Sequence, residues 1–113
     1  MRGITNATEI LVPKILSPTV NTTYVTLGST GTIQAVQYGK VVIVVFFGVV
    51  IAYCHDQQII TGLPKAKMTV TKELSKWNAA PNGSITIGAG DTFMTSYTDG
   101  TSGIYTEFVY IAE

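Results

Sequence analysis

Charged residues are scarce in this chain, and those present cancel. Seven Lys and Arg residues balance seven Asp and Glu residues among 113, so charged residues make up 12% of the sequence. A typical soluble domain has about 25%. Because no basic stripe exists, binding to nucleic acid or to an anionic membrane surface lacks its main electrostatic attraction. So few charges protect a monomer poorly against association, and we therefore expect a homo-oligomer.

Residues that carry catalysis or bind metals are equally few. The chain has one cysteine, Cys54, and one histidine, His55. A single cysteine excludes an intrachain disulfide, and the pair cannot supply the four ligands of a structural zinc site. Cys54 closes an apolar run, so we expect it to be buried as a small hydrophobic residue. A nucleophilic Cys–His pair would also need a third, orienting group.

The carboxylates do not form a recognisable acid–base pair either. The candidates are Asp56, Glu73, Asp91, Asp99 and Glu107. None has a partner at a spacing that indicates a glycosidase. We therefore predict a protein that is not an enzyme, with no catalytic residues, no metal and no cofactor.

Targeting, membrane-spanning and helical signals are also lacking. Residues 1–6 do not contain the apolar region of a signal peptide. The longest apolar run, at 41–53, has 13 residues, fewer than the roughly 20 that a helix needs to cross a bilayer. Helical patterning is confined to residues 71–77, where we expect at most two turns.

β-Branched residues, in contrast, are abundant. Thr, Val and Ile number 17, 12 and 12, which is 41 of the 113 residues. Their stiff side chains suit a pleated sheet better than a helix. Strand-like runs recur at intervals of about ten residues, separated by turn signals such as residues 81–83. The sequence predicts an all-β fold, an antiparallel jelly-roll-like sandwich or small barrel. We expect one head domain over 19–113, preceded by an N-terminal arm or first strand over 1–18.

The run at 41–53 is apolar on both faces if it forms a strand, because successive side chains point to opposite sides. Gly48 interrupts the run and predicts a bulge or bend. Such a strand is either central in a sandwich or has one face against another subunit. The N-terminal arm is an alternative cover for that face. The predicted oligomer interface consists of Val42, Val44, Phe46 and Val50.

Aromatic, carboxylate and amide side chains near turns are the candidate ligand-binding groups. Loops on a rigid scaffold are where binding residues concentrate, and sugars pack on aromatic faces while polar groups bind their hydroxyls. Trp77 has an alternative role as a core anchor, and Tyr53 and Tyr97 have one in cross-strand packing. The predicted ligand-binding residues are Trp77, Asn78, Tyr97, Asp99, Tyr53, His55 and Asp56.

Four motifs carry a family resemblance over roughly the last two-thirds of the chain: GKVV at 39–42, IITGLPKAK at 59–67, GSITIGAGDTFMTSYTDG at 83–100 and FVYIA at 108–112. Together they resemble the C-terminal receptor-binding or head domains of bacteriophage tail and baseplate proteins. The resemblance implies a homotrimer on the virion, facing the exterior, that recognises a host cell-surface saccharide or protein. The chain departs from that pattern because no long fibrous shaft precedes the head. The alternative is a structural virion or assembly module that binds no ligand.

Overall fold

A computed structural model describes residues 12–74, 83–98 and 102–113 of the chain. Within them the regular structure is entirely β, which confirms the predicted class. The strands are β1 (Lys14–Leu16), β2 (Thr19–Val20), β3 (Val25–Thr26), β4 (Thr32–Tyr38), β5 (Val41–Ile51), β6 (Cys54–Thr61), β7 (Val70–Leu74), β8 (Gly83–Ile87), β9 (Met94–Thr98) and β10 (Ser102–Ile111). The short helix predicted at 71–77 is wrong for residues 71–74, which lie in β7.

The strands form two antiparallel sheets packed together, as expected for a sandwich. The first sheet has the order β1-β4-β5-β10, and β3 pairs with the far end of β5. The second sheet has the order β2-β6-β9-β8-β7. Alternate side chains of each sheet point inward and form one apolar core. Its largest fully buried members are Tyr110, Phe46, Phe108, Ile51, Ile59 and Ile60.

The long apolar strand β5 is central in the first sheet and contains the predicted bulge. Gly48 has a φ of 63°, in the left-handed region where a glycine meets no Cβ penalty. On β10, Ile104 lies opposite Val49 and the next residue, Tyr105, lies opposite Phe47, so Gly48 has no partner there. Because the bulge contains one extra residue, the alternation of inward and outward side chains changes from even to odd residue numbers beyond it. The inward side chains are therefore even-numbered before Gly48 and odd-numbered after it.

This exchange corrects the predicted oligomer interface. Val42, Val44 and Phe46 are buried between the two sheets, so their assignment to an interface is wrong: their surface is already covered by the same chain. Val50 is exposed, because the bulge moves it to the outer face of the first sheet. Its role in an interface stays a prediction.

The segment 62–67 connects the two sheets at one end of the molecule. The Leu63 amide donates a hydrogen bond to the Thr92 carbonyl at 2.9 Å, beside the second sheet. The Lys67 amide donates to the Ile111 carbonyl of β10 at 2.8 Å. The buried Tyr110 hydroxyl donates to the Pro64 carbonyl, also at 2.8 Å. Burial raises the pKa of Tyr110 to about 12.

Candidate functional site

The outer face of the second sheet is polar and regular. Thr71, Thr86 and Thr95 lie opposite one another on β7, β8 and β9. The hydroxyl oxygens of Thr71 and Thr86 are 2.9 Å apart and share a hydrogen bond. Threonine ladders of this kind stabilise a sheet and keep its surface wettable. The candidate site lies at one end of this polar surface.

Three aromatic rings meet at one end of that face. The His55 ring stacks on the Tyr97 ring, with centroids 4.3 Å apart and planes at 10°. The Tyr53 ring lies next to His55, with centroids 4.8 Å apart and planes at 45°. The structure therefore brings together three of the seven predicted ligand-binding residues. We call Tyr53, His55 and Tyr97 the aromatic cluster.

A second bulge, in β6, positions His55. Cys54 lies opposite Thr98 and Gln57 lies opposite Ser96, so His55 and Asp56 together face a single residue, Tyr97. Asp56 has a φ of 57°, a conformation that aspartate adopts more readily than most residues. Bulges commonly reorient a side chain near a functional site, and here the result is the ring stack. Asp56 itself is exposed beside the cluster.

Buried polar groups lie beneath the aromatic cluster. The Cys54 thiol donates a hydrogen bond to the Ser96 carbonyl at 3.4 Å. The Thr98 hydroxyl accepts from the Cys54 amide at 3.3 Å and donates to the Ala52 carbonyl at 2.9 Å. Every buried side-chain polar atom in the described part of the chain has a partner, so these bonds hold the ends of β6 and β9 in fixed register. Cys54 is buried as expected and belongs to this support.

A cleft of about 380 Å³ opens beside Tyr97. Glu73, Ser84 and Tyr97 lie in one row across β7, β8 and β9, and all three line the cleft together with Leu74 and Gly83. The cleft thus offers a carboxylate, a hydroxyl and an aromatic ring to one ligand, and its volume is in the range of small-molecule sites.

Glu73 and Ser84 were not predicted as site residues. Glu73 lies in the stretch whose pattern suggested a helix, and only the strand register shows that it shares a row with Tyr97. If residues 70–74 had been interpreted as a strand, with successive side chains on opposite faces, Glu73 would have been placed on the polar face. Trp77, Asn78 and Asp99 lie outside the described residues, so their assignment stays a prediction.

Residues 12–74, 83–98 and 102–113 contain no group of three His, Cys, Asp or Glu residues that could hold a metal ion. The same residues form no helix that is long and apolar enough to span a membrane. Comparison of the chain with protein-family models, with curated proteins and with solved structures finds no match.

Proposed function

We propose that this protein is a non-enzymatic binding head that recognises a saccharide at the aromatic cluster and the adjoining cleft. The observation that carries the proposal is the stack of His55 on Tyr97 beside the row that contains Glu73 and Ser84. The resemblance to receptor-binding domains of phage tail and baseplate proteins supplies the setting. In that setting the head is a homotrimer on the virion, and its ligand is on the host-cell surface.

The chemistry of the cleft favours a saccharide among ligands of that surface. The C–H groups of a pyranose ring pack against aromatic faces, and Tyr53 and Tyr97 are both exposed, so their rings have surface to offer. The Glu73 carboxylate accepts hydrogen bonds from sugar hydroxyls, and the Ser84 hydroxyl both donates and accepts. Bonds to a charged acceptor are stronger than those between neutral groups, so Glu73 is the expected orienting residue.

A structural assembly module without a ligand is the second candidate. It is favoured by the exposed apolar side chains on the outer face of the first sheet, on the opposite side of the sandwich from the aromatic cluster. The two uses employ different surfaces, so one chain can serve both.

Glycan-array screening followed by titration calorimetry tests the saccharide proposal. We expect wild type to bind at least one saccharide, and Tyr97→Ala to weaken its affinity per site by about tenfold or more. Glu73→Gln is expected to weaken it by less, because the amide oxygen still accepts hydrogen bonds. In the calorimetric titration, Tyr105→Ala is the matched control, since Tyr105 is an exposed tyrosine on the other sheet and affinity per site does not depend on assembly.

Calorimetry with a soluble monovalent saccharide reports affinity per site and is independent of avidity. If wild type bound no saccharide on the array, or if Tyr97→Ala bound as tightly as wild type, the aromatic cluster would not be the binding site. A wild type that assembles but binds no saccharide would favour the assembly module.

A further inference from the structure

The outer face of the first sheet carries an unbroken apolar row. Ile15 lies opposite Val36, Val36 opposite Ile43, and Ile43 opposite Val109. Four β-branched side chains therefore cross β1, β4, β5 and β10 at one level. The core lies on the other side of this sheet, so the row is not part of the interior of the chain.

Further apolar pairs flank this row. Phe47 lies opposite Tyr105, and their rings meet edge to face with centroids 5.1 Å apart and planes at 84°. On the other side of the row, Val41 lies opposite Ile111. We call these outward side chains the apolar face, which consists of Ile15, Val36, Val41, Ile43, Phe47, Tyr105, Val109 and Ile111.

The exposed area of the apolar face matches that of a stable protein interface. Ile15 is 72% exposed, Phe47 55%, Tyr105 51% and Val109 49%. A full aromatic side chain offers about 150–250 Å² and Val or Ile offers less, so the exposed apolar side chains of this face present roughly 500 Å² together. A standard interface covers about 800 Å² on each partner, and roughly 60% of that area is apolar. The apolar area required of one partner is therefore about the area present here, and an apolar patch of this size on a monomer is often functional.

The distribution of charge on this face indicates which partner fits. Among the described strand residues, Glu107 is the only charged one whose side chain lies on this face. It is opposite Val45, which is in turn opposite Gln34. A partner must therefore be apolar and must offer a hydrogen-bond donor to one carboxylate, since burying it unpaired is costly. A second copy of the chain has both properties, because its Gln34 side chain carries an amide donor. An anionic membrane would instead repel Glu107. The lysine of these strands, Lys14 of β1, lies at the level of Gln37 and the buried Val42, on the other side of the sheet.

We propose that the apolar face is a self-association surface and that its occupant is a second copy of this chain. The inference deepens the homo-oligomer of the proposed function and moves its interface from the inward to the outward side chains of β5. Association through this face does not cover the aromatic cluster or its cleft, because His55 and Tyr97 lie on the other sheet. Each assembly then presents several identical binding sites, and weak contacts with a surface saccharide gain avidity.

Size-exclusion chromatography with light scattering on the full chain tests the surface. The chain mass is 12.1 kDa, and we expect wild type at micromolar concentration to have a multiple of that mass. Val109→Glu adds a second carboxylate two residues from Glu107 and is expected to give a monomer. The matched control is Thr71→Glu, which adds a carboxylate two residues from Glu73 on an edge strand of the other sheet and should leave the mass unchanged.

Ile15→Gln is a milder second variant, because Ile15 is the most exposed side chain of the face, and we expect about a tenfold weaker association. Circular dichroism and thermal unfolding verify that both variants fold. A wild type that stays monomeric at concentrations on the order of 100 µM would overturn the proposal. Persistence of the wild-type assembly in both variants would do the same.

The same samples separate this inference from the saccharide proposal. A monomeric Val109→Glu variant that retains the per-site saccharide affinity supports both. A monomeric wild type that binds saccharide overturns only the self-association surface, and an assembly that binds none overturns only the ligand.

Discussion

The imidazole ring of His55 lies parallel to the phenol ring of Tyr97, with 4.3 Å between centroids and 10° between planes. Two residues of β6 face one residue of β9 at this point, so the stack depends on a backbone irregularity as well as on ring chemistry. The conformation of Asp56, with its φ of 57°, maintains that irregularity. The backbone of β6 therefore controls the geometry of the candidate site.

Substitution of Asp56 tests this dependence. Asp56→Val introduces a β-branched side chain in the left-handed region, and we expect it to lower the free energy of unfolding by about 1–2 kcal/mol. Asp56→Gly adopts the same φ without strain and should lie within about 0.5 kcal/mol of wild type. Urea unfolding of the three proteins measures the difference. Equal stability of the Val and Gly variants would contradict a strained position at Asp56.

Tyr110 gives a prediction for alkaline pH. Burial raises the pKa of its hydroxyl to about 12, while a tyrosine in the unfolded chain ionises near pH 10. The neutral form is favoured in the folded state, so its contribution is complete below about pH 10 and is lost as the pH rises towards 12. We expect the free energy of unfolding to fall by about 2 kcal/mol over that window from this group alone.

Tyr110→Phe is the control that isolates this contribution. At about pH 8 the variant should be less stable by about 1–2 kcal/mol, because the Pro64 carbonyl loses its donor. Urea midpoints at about pH 9 and about pH 11.5 should then show the gap between the two proteins narrowing as the pH rises. A gap that stays constant would show that Tyr110 ionises equally easily in the folded and unfolded chains.

Gly31 gives a prediction for backbone packing. A Cβ there would lie 2.6 Å from the Gly48 carbonyl oxygen and would also overlap the Leu27 carbonyl, which accepts the Gly31 amide at 2.8 Å. Because both obstacles are backbone, we expect Gly31→Ala to destabilise the fold by roughly 2–4 kcal/mol. Gly28→Ala is the control, since a Cβ at Gly28 meets open space and only the φ of 65° opposes it.

The Gly28→Ala variant should lose about 1 kcal/mol. Thermal or urea unfolding of both variants measures the comparison. Equal losses of unfolding free energy in the two variants would mean that the turn before β4 is not closely packed against the bulge in β5.

The sequence predicts the fold class well because the relevant signals are local. The abundance of Thr, Val and Ile indicates strands wherever they lie, and a glycine in the middle of an apolar strand indicates a bulge. The interface residues show where this reasoning ends. Val42 and Phe47 are equally apolar, and only the position of the opposite sheet decides that the first is buried and the second exposed.

The candidate site was predictable in part for the same reason. Tyr53 and His55 are close in sequence and could be proposed together. Tyr97 joins them only through the pairing of β6 with β9, a contact between segments about forty residues apart. Ser84 and Glu73 depend on two further pairings and on recognising β7 as a strand. Strand order follows from the packing of the whole chain, and the local sequence does not encode it.

The bulge at Gly48 has a consequence for how variation along β5 is tolerated. It divides the strand into two segments of opposite phase, so the fold should accept polar replacements at odd positions up to Phe47 and at Val50, although those on the apolar face would weaken self-association. Replacement of Gly48 by a residue that straightens the strand would restore a single phase and would turn Val49 and Ile51 towards solvent. Deletion of Gly48 would instead remove the bulge and leave both side chains inward. The number of residues in this strand is therefore constrained together with its composition, because deletion of any other residue of β5 would exchange the two faces on one side of the deletion unless the bulge were lost as well.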